Sequence, residues 1–341
     1  MAFRGEIDDR VLDATDRLVR SYARIQGQLV LEIDSLLADI AARRAAGKSI
    51  TKAQVRKLER YQRLIEETGR QLTLYGGVVE DEVLTGQLDM AELAVRQAPE
   101  LLAVRLAEVP ERVRNSILAT FGRMPAEAVT AMVGALQEGS PLLPVLARFG
   151  PEHAMRFQEL LLTGLASGKN PRTVARELRN GLGVPLTDAL RITRTEMLRA
   201  HRMATHASYR ANSHVVSGWT WFAALDDKTC MACVAMHGTK HGNDETLDDH
   251  PNGRCVAIPD TVSFADLGFQ GIDEVVPELE SGEDWFARQP ESVQRDMMGP
   301  SKFDAWQDGA VSLSDLAVRR EDPDWGGMVT EASLKELGVA A

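Results

Sequence analysis

The chain is poor in cysteine and aromatics and has no long apolar run. Each shortage narrows what it can be. Three cysteines among 341 residues all fall between Cys230 and Cys255. An odd count, behind an N-terminus (Met1-Ala2-Phe3-Arg4-Gly5-Glu6) with no apolar core, argues against a secreted disulfide framework. No apolar stretch approaches the ~20 residues of a membrane span. Aromatics are 5% of the chain, against 44% hydrophobic and 26% charged residues overall, an ordinary globular balance. There is no internal repeat and no low-complexity tract. The length allows two or three domains. The expectation is a protein made in a reducing cytoplasm, where thiols stay free for metal.

Charge is unevenly spread. The net charge is −11, yet residues 241–341 hold 22 acidic and 7 basic side chains, and residues 1–240 hold 28 and 32. A mildly basic front and a strongly acidic tail imply two differently addressed faces, or simply a solvated acidic surface. The tail disfavours nucleic acid, since phosphate binding needs clustered Lys and Arg.

The first 210 or so residues read as helices. Leu18, Tyr22, Ile25, Leu29, Ile33, Leu36 and Ile40 make one apolar stripe that ends at Ala45-Ala46-Gly47-Lys48. Thr51 and Gln54 form a capping box, with Ile50 and Val55 as a hydrophobic staple, for a helix ending at Tyr75-Gly76-Gly77. The two should form an antiparallel hairpin. Asp89 is placed to cap a segment interrupted at Pro99. Pro110, Pro125, Pro141, Pro144 and Gly150-Pro151 mark further breaks. A helix over 152–166 ends at Gly168, and another is capped by Asn170 and stopped by Gly181. A long helix runs from Thr187 to Ala211 and carries Arg191, Arg194, Arg199, Arg202 and Arg210.

The texture then changes. Val215 to Ala223 is β-branched and aromatic, and reads as a strand. Asp226-Asp227-Lys228-Thr229 turns into Cys230-Met231-Ala232-Cys233. A polar loop from Gly238 to Asp249 leads to His250-Pro251-Asn252-Gly253-Arg254-Cys255. Val256-Ala257-Ile258 reads as a second strand stopped by Pro259. Cys230, Cys233, His250 and Cys255 together form a Cys3His set, which suits a closed structural zinc site. Buried, unrelated thiols are the plain alternative. His237 and His241 are rival ligands, but His250 shares a Pro/Asn/Gly turn with Cys255. Asp226 is placed to cap the knuckle turn. Asp248 and Asp249 could orient His250. Trp219 and Trp221 read as core packing.

Arg194-Thr195-Glu196 on a helix, Gly218-Trp219, Asp226-x-x-Thr229-Cys230-x-x-Cys233, Gly238 and His250-Pro251-Asn252-x-Arg254-Cys255 follow one another in an order that resembles the Mu F-like phage head-morphogenesis proteins. The resemblance spans roughly residues 150–265 and extends weakly to Trp285, Gln289, Gly299 and Gly309. One departure is Gly253, where the family often has a cysteine; Cys255 remains as the fourth ligand. The resemblance implies a minor head (minor capsid) protein of a tailed phage or prophage, without an established reaction. It would act in procapsid assembly near the portal by binding other proteins. Its partners would be the portal or major capsid protein, with a scaffold protein as a further candidate and at most weak contact to packaged DNA. No membrane and no small-molecule substrate are implied. It would be found in the host cytoplasm during assembly and then inside the virion head.

The expected architecture is mainly α. A helical N-terminal region (1–149) docks on portal or capsid. A small α+β module with a zinc-stapled β-hairpin (150–265) follows, and an acidic helical tail (266–341) ends the chain. A DNA-binding zinc module is the alternative, kept alive by the basic helix 191–210. A zinc deaminase lacks its His-x-Glu. An HNH-type nuclease needs a histidine after His250, and there is none.

Overall fold

The computed structural model describes residues 2–47, 51–137, 142–166, 171–273 and 279–339. The expected Asn170 cap, the Gly168 stop, Pro141 and the Ile50 half of the staple lie outside these residues. Backbone packing divides the chain into two compact units. One comprises Met1–Gly86 and Ser140–Glu196, the other Gln87–Gly139 and Met197–Ala341.

The first unit is helical. Helix α1 (Ala2–Ala45) buries the whole stripe from Leu18 to Ile40. The capping box at Thr51 is present, the Gln54 amide donating to Thr51 Oγ1 and the Thr51 amide to Gln54 Oε1 at 2.8 Å. It opens only a short helix, α2 (Lys52–Arg56), before α3 (Glu59–Arg105) begins. Gly76-Gly77 and Pro99 do not end α3, and Asp89 lies inside it rather than capping it. Proline in a helix interior costs about 3 kcal/mol. Ala98, Leu102 and Leu106 beside it are fully buried, and each such leucine returns roughly 1.5–3 kcal/mol.

Helices α4 (Glu111–Thr120) and α5 (Ala126–Gln137) start after Pro110 and Pro125, as the sequence implies. Helix α6 (Leu142–Ala166) runs through Gly150-Pro151. Gly150 is a point of close approach instead of a break: a Cβ there would lie 2.8 Å from the Thr73 Cα. Helix α7 (Pro171–Ala211) likewise runs through Gly181 and Pro185, so the two expected helices are one. Within the first unit Tyr22 donates to the Leu182 carbonyl, and its ring lies 4.8 Å from that of Tyr75.

The second unit holds the sheet. Strand β1 (Val216–Phe222) is central, flanked antiparallel by β2 (Lys240–Gly242) and β3 (Val256–Thr261). Strand β2 falls in the stretch read as loop. Strand β3 passes Pro259 because it is an edge strand, where a missing amide donor is tolerated. Between β1 and β2 lies the short helix α8 (Met231–Met236). Trp219, Trp221, Tyr209, Phe264, Leu102, Cys233 and Cys255 share one apolar core.

The tail forms α9 (Gly282–Ala287), α10 (Glu291–Met298) and α11 (Pro300–Gln307), which pack Phe286, Met298 and Phe303 against Met231 and Val234 of α8. It then adds a hairpin the sequence did not announce, β4 (Ala317–Asp322) with β5 (Gly326–Glu331). Among the described residues no helix is long and apolar enough to cross a membrane.

Candidate metal centre

Two short loops build the site. The first leaves β1, turns at Asp226 and enters α8. Cys230 is the residue that caps α8, its Sγ accepting from the Cys233 amide at 3.4 Å, and one helical turn sets both thiols on one side. The second loop runs from β2 to β3. Its turn at Asn252, which has a positive φ of 62°, folds His250 back towards Cys255.

The loops bring sulfur and nitrogen together. The Nε2 of His250 stands 3.2 Å from Cys230 Sγ and 3.4 Å from Cys233 Sγ. Cys230, Cys233 and His250 thus offer three donor atoms within 4.8 Å of one another. Cys233, Asp249 and Cys255 form a second such group. All four residues of the sequence-read set line one cavity of about 30 Å³, together with Thr229, Gly253 and Arg254, whereas Asp249 does not line it. That volume matches about one water-sized particle. His237 and His241 lie elsewhere. His237 Nδ1 accepts from the Ala223 amide, and His241 stacks on Trp219 at 4.2 Å.

Electrostatics favour a charged Cys230–His250 pair beside neutral thiols at Cys233 and Cys255. Cys230 is held down to about 5 by its hydrogen bond with Cys233, against burial and with help from His250. His250 is up at about 9; burial opposes its cation, but Cys230 and Asp249 outweigh it. Cys233 is raised by the neighbouring Cys230 and Cys255 thiols and by burial. For Cys255 the Cys233 hydrogen bond pulls down, while burial and Asp249 win and raise it.

Around the donors sits a shell of fixed polar contacts. Arg254 grips both carboxylate oxygens of Asp226, one at 2.7 Å, which ties the second loop to the first. The guanidinium holds the Asp226 carboxyl well below the usual range. Asp226 also accepts from Thr229 Oγ1 and the Lys228 amide, so it braces the turn before Cys230. Asp249 is buried and accepts from the amides of His250 (2.9 Å) and Cys255 (3.0 Å). Its carboxylate takes the place of any side chain at 253: a Cβ there would lie 2.1 Å from the Asp249 Cγ. Gly253 is the residue that this chain's Asp249 allows.

Other motif residues stand apart from the donors. Asp248 faces away from His250, accepting from Arg319 at 2.9 Å through its carboxylate and from the Val329 amide at 2.7 Å through its carbonyl. Thr195 bonds its own helix at the Arg191 carbonyl; Glu196 is buried and Arg194 half-buried on α7. Trp219 is fully buried and donates to the Gly242 carbonyl, so it offers no face for base stacking. Two arginines of the basic stripe of α7 are spent inside the fold, while Arg191 and Arg210 stay exposed. Arg202 pairs with Asp249, and Arg199 donates to the Trp325 carbonyl. Sequence reading passed over Arg202 as one of several cations on a helix. Nothing in the sequence sets Arg202 apart from the other cations of the helix, because its partner Asp249 lies 47 positions away.

Comparison with known proteins fits this geometry. Residues 155–258 match the family described as Phage Mu protein F like protein. Neither the curated proteins nor the solved structures contain a significant match. The matched segment holds the end of α6 from residue 155, all of α7, strand β1 and all four donors. That segment, less than half of the chain, is what resembles the Mu F-like phage proteins.

Proposed function

We propose that the protein is a minor head protein that works by protein–protein binding near the portal, and that its Mu F-like module is closed by one structural zinc ion. Cys230, Cys233, His250 and Cys255 would hold the ion. The observation that carries this reading is that all four, drawn from two loops, face one ion-sized cavity. Three thiols and an imidazole suit zinc, and four protein donors leave no position for a reacting water. The role is therefore read as binding, with no reaction assigned. The exposed faces of the helices before residue 150 are the surfaces read as docking on portal or major capsid protein, with a scaffold as a further candidate. The virion interior is the final location.

Metal analysis of the purified chain tests the chemistry. One zinc per chain is expected, and its loss in Cys230→Ser/Cys233→Ser. Unchanged melting and protease resistance in that variant would sink the staple. The assembly role is tested by mixing the chain with purified portal rings, capsid protein and duplex DNA. Retention on portal rings that survives added salt is expected. Retention on DNA alone, falling with salt, would favour the DNA-binding reading.

A further inference from the structure

Behind the donor cluster lies an ion pair that zinc ligation does not use. Arg202 projects from α7 and Asp249 from the second loop; they are 5% and 6% exposed, with Nη1 3.5 Å from Oδ2. Arg202 also donates to the Gly253 carbonyl at 3.3 Å. Asp249 touches the donors directly: Cys233 Sγ lies 3.5 Å from its Oδ1, and His250 Nε2 lies 3.7 Å away.

Charge counting shows why this matters. Zinc with three thiolates and a neutral imidazole carries one excess negative charge. Asp249 adds a second in the same buried space, where like charges repel strongly. The neighbouring cations are unequal. Arg254 is committed to Asp226, and Lys228 sits on the exposed rim. Arg202 is buried against the carboxylate itself. An uncompensated buried charge is costly.

We propose that Arg202 is a positioning residue for the metal centre, offsetting the excess negative charge of the loaded cluster through Asp249 and so setting zinc affinity. This rests on the reading that the four donors take zinc. Arg202 binds no metal; it makes the anionic cluster tolerable in a buried site.

Zinc affinity of the full chain is measured by competition with a chromophoric chelator. The set is wild type, Arg202→Met, Arg202→Lys, Asp249→Asn and the double variant Arg202→Met/Asp249→Asn. Arg202→Met is expected to weaken zinc roughly 10–100-fold, the usual effect of losing a partner just outside the ligands. Arg202→Lys, which keeps the charge, is expected to recover most of it. With Asp249 already neutral, Arg202→Met should change affinity by no more than about twofold, the ordinary error of additivity. Thiolate-to-cobalt absorption of the Co2+-loaded proteins should match throughout, because the donors are untouched. An equal loss in both backgrounds would overturn the proposal and leave Arg202 as packing beneath the Gly253 carbonyl. Wild type that takes neither zinc nor cobalt would overturn the metal reading itself, a distinguishable failure.

Discussion

Gly253 and His206 show how single side chains are constrained around the site. A methyl group at 253 would collide with the Asp249 carboxylate at 2.1 Å, and that carboxylate holds the amides of His250 and Cys255. Gly253→Ala is therefore expected to destabilise the module by about 1–3 kcal/mol, the usual range for overpacking, as read by urea unfolding. His206 is buried with its Nε2 accepting from the Leu247 amide and its ring edge-on to Trp219 at 4.9 Å. Burial first, then Arg210, Arg202 and His241, push its pKa down to about 4. An unfolded histidine titrates near ~6.5. Above that pH the ring is neutral in both states and costs nothing. As pH falls from there to 4 only the unfolded chain takes the proton, so stability should drop by about 1.4 kcal/mol per unit. His206→Gln cannot titrate. The stability of wild type relative to this variant is expected to fall between pH 6.5 and pH 4.5, and a flat difference would contradict the assignment.

Elements were legible where the information is local. The α1 stripe, the Thr51 capping box and the starts of α4 and α5 follow from residues a few positions apart. So does the grouping of Cys230 with Cys233, since one helical turn fixes their spacing. Breaks were over-read at Gly76-Gly77, Pro99, Gly150-Pro151 and Gly181, because tertiary burial outweighs the propensity of one residue. Strand β2 is three residues long, and its pattern is too short to read; it exists because β1 offers it an edge. Hairpin β4–β5 carries Arg319, Arg320 and Glu321 in strand positions, and it corrects the reading of this tail as helical throughout. Asp249 and Arg202 meet across 47 positions, a pairing that periodicity cannot reveal.

At the scale of the molecule, the two compact units have different sources of stability. The first is held by the apolar stripes of α1, α3, α6 and α7, as at Tyr22 and Tyr75. The second places Cys233 and Cys255 inside the core that contains Trp219 and Trp221. Zinc contributes on the order of 10–16 kcal/mol in finger peptides, as much as the whole stability of a typical domain, ~5–15 kcal/mol. Stripping metal with a strong chelator is expected to raise amide exchange across β1, α8 and β3 and to leave α1 protected. Equal loosening of α1 would mean that the units do not unfold separately.

The last hairpin has a consequence for how the protein is made. Its Val329 amide donates to the Asp248 carbonyl, next to the carboxylate that orders the ligand loop, and Arg319 clasps the Asp248 side chain. A nascent chain on the ribosome presents both thiol loops long before residue 329 emerges. The cluster must therefore wait in an unbraced form during translation, and reaches its final rigidity only after the hairpin is released.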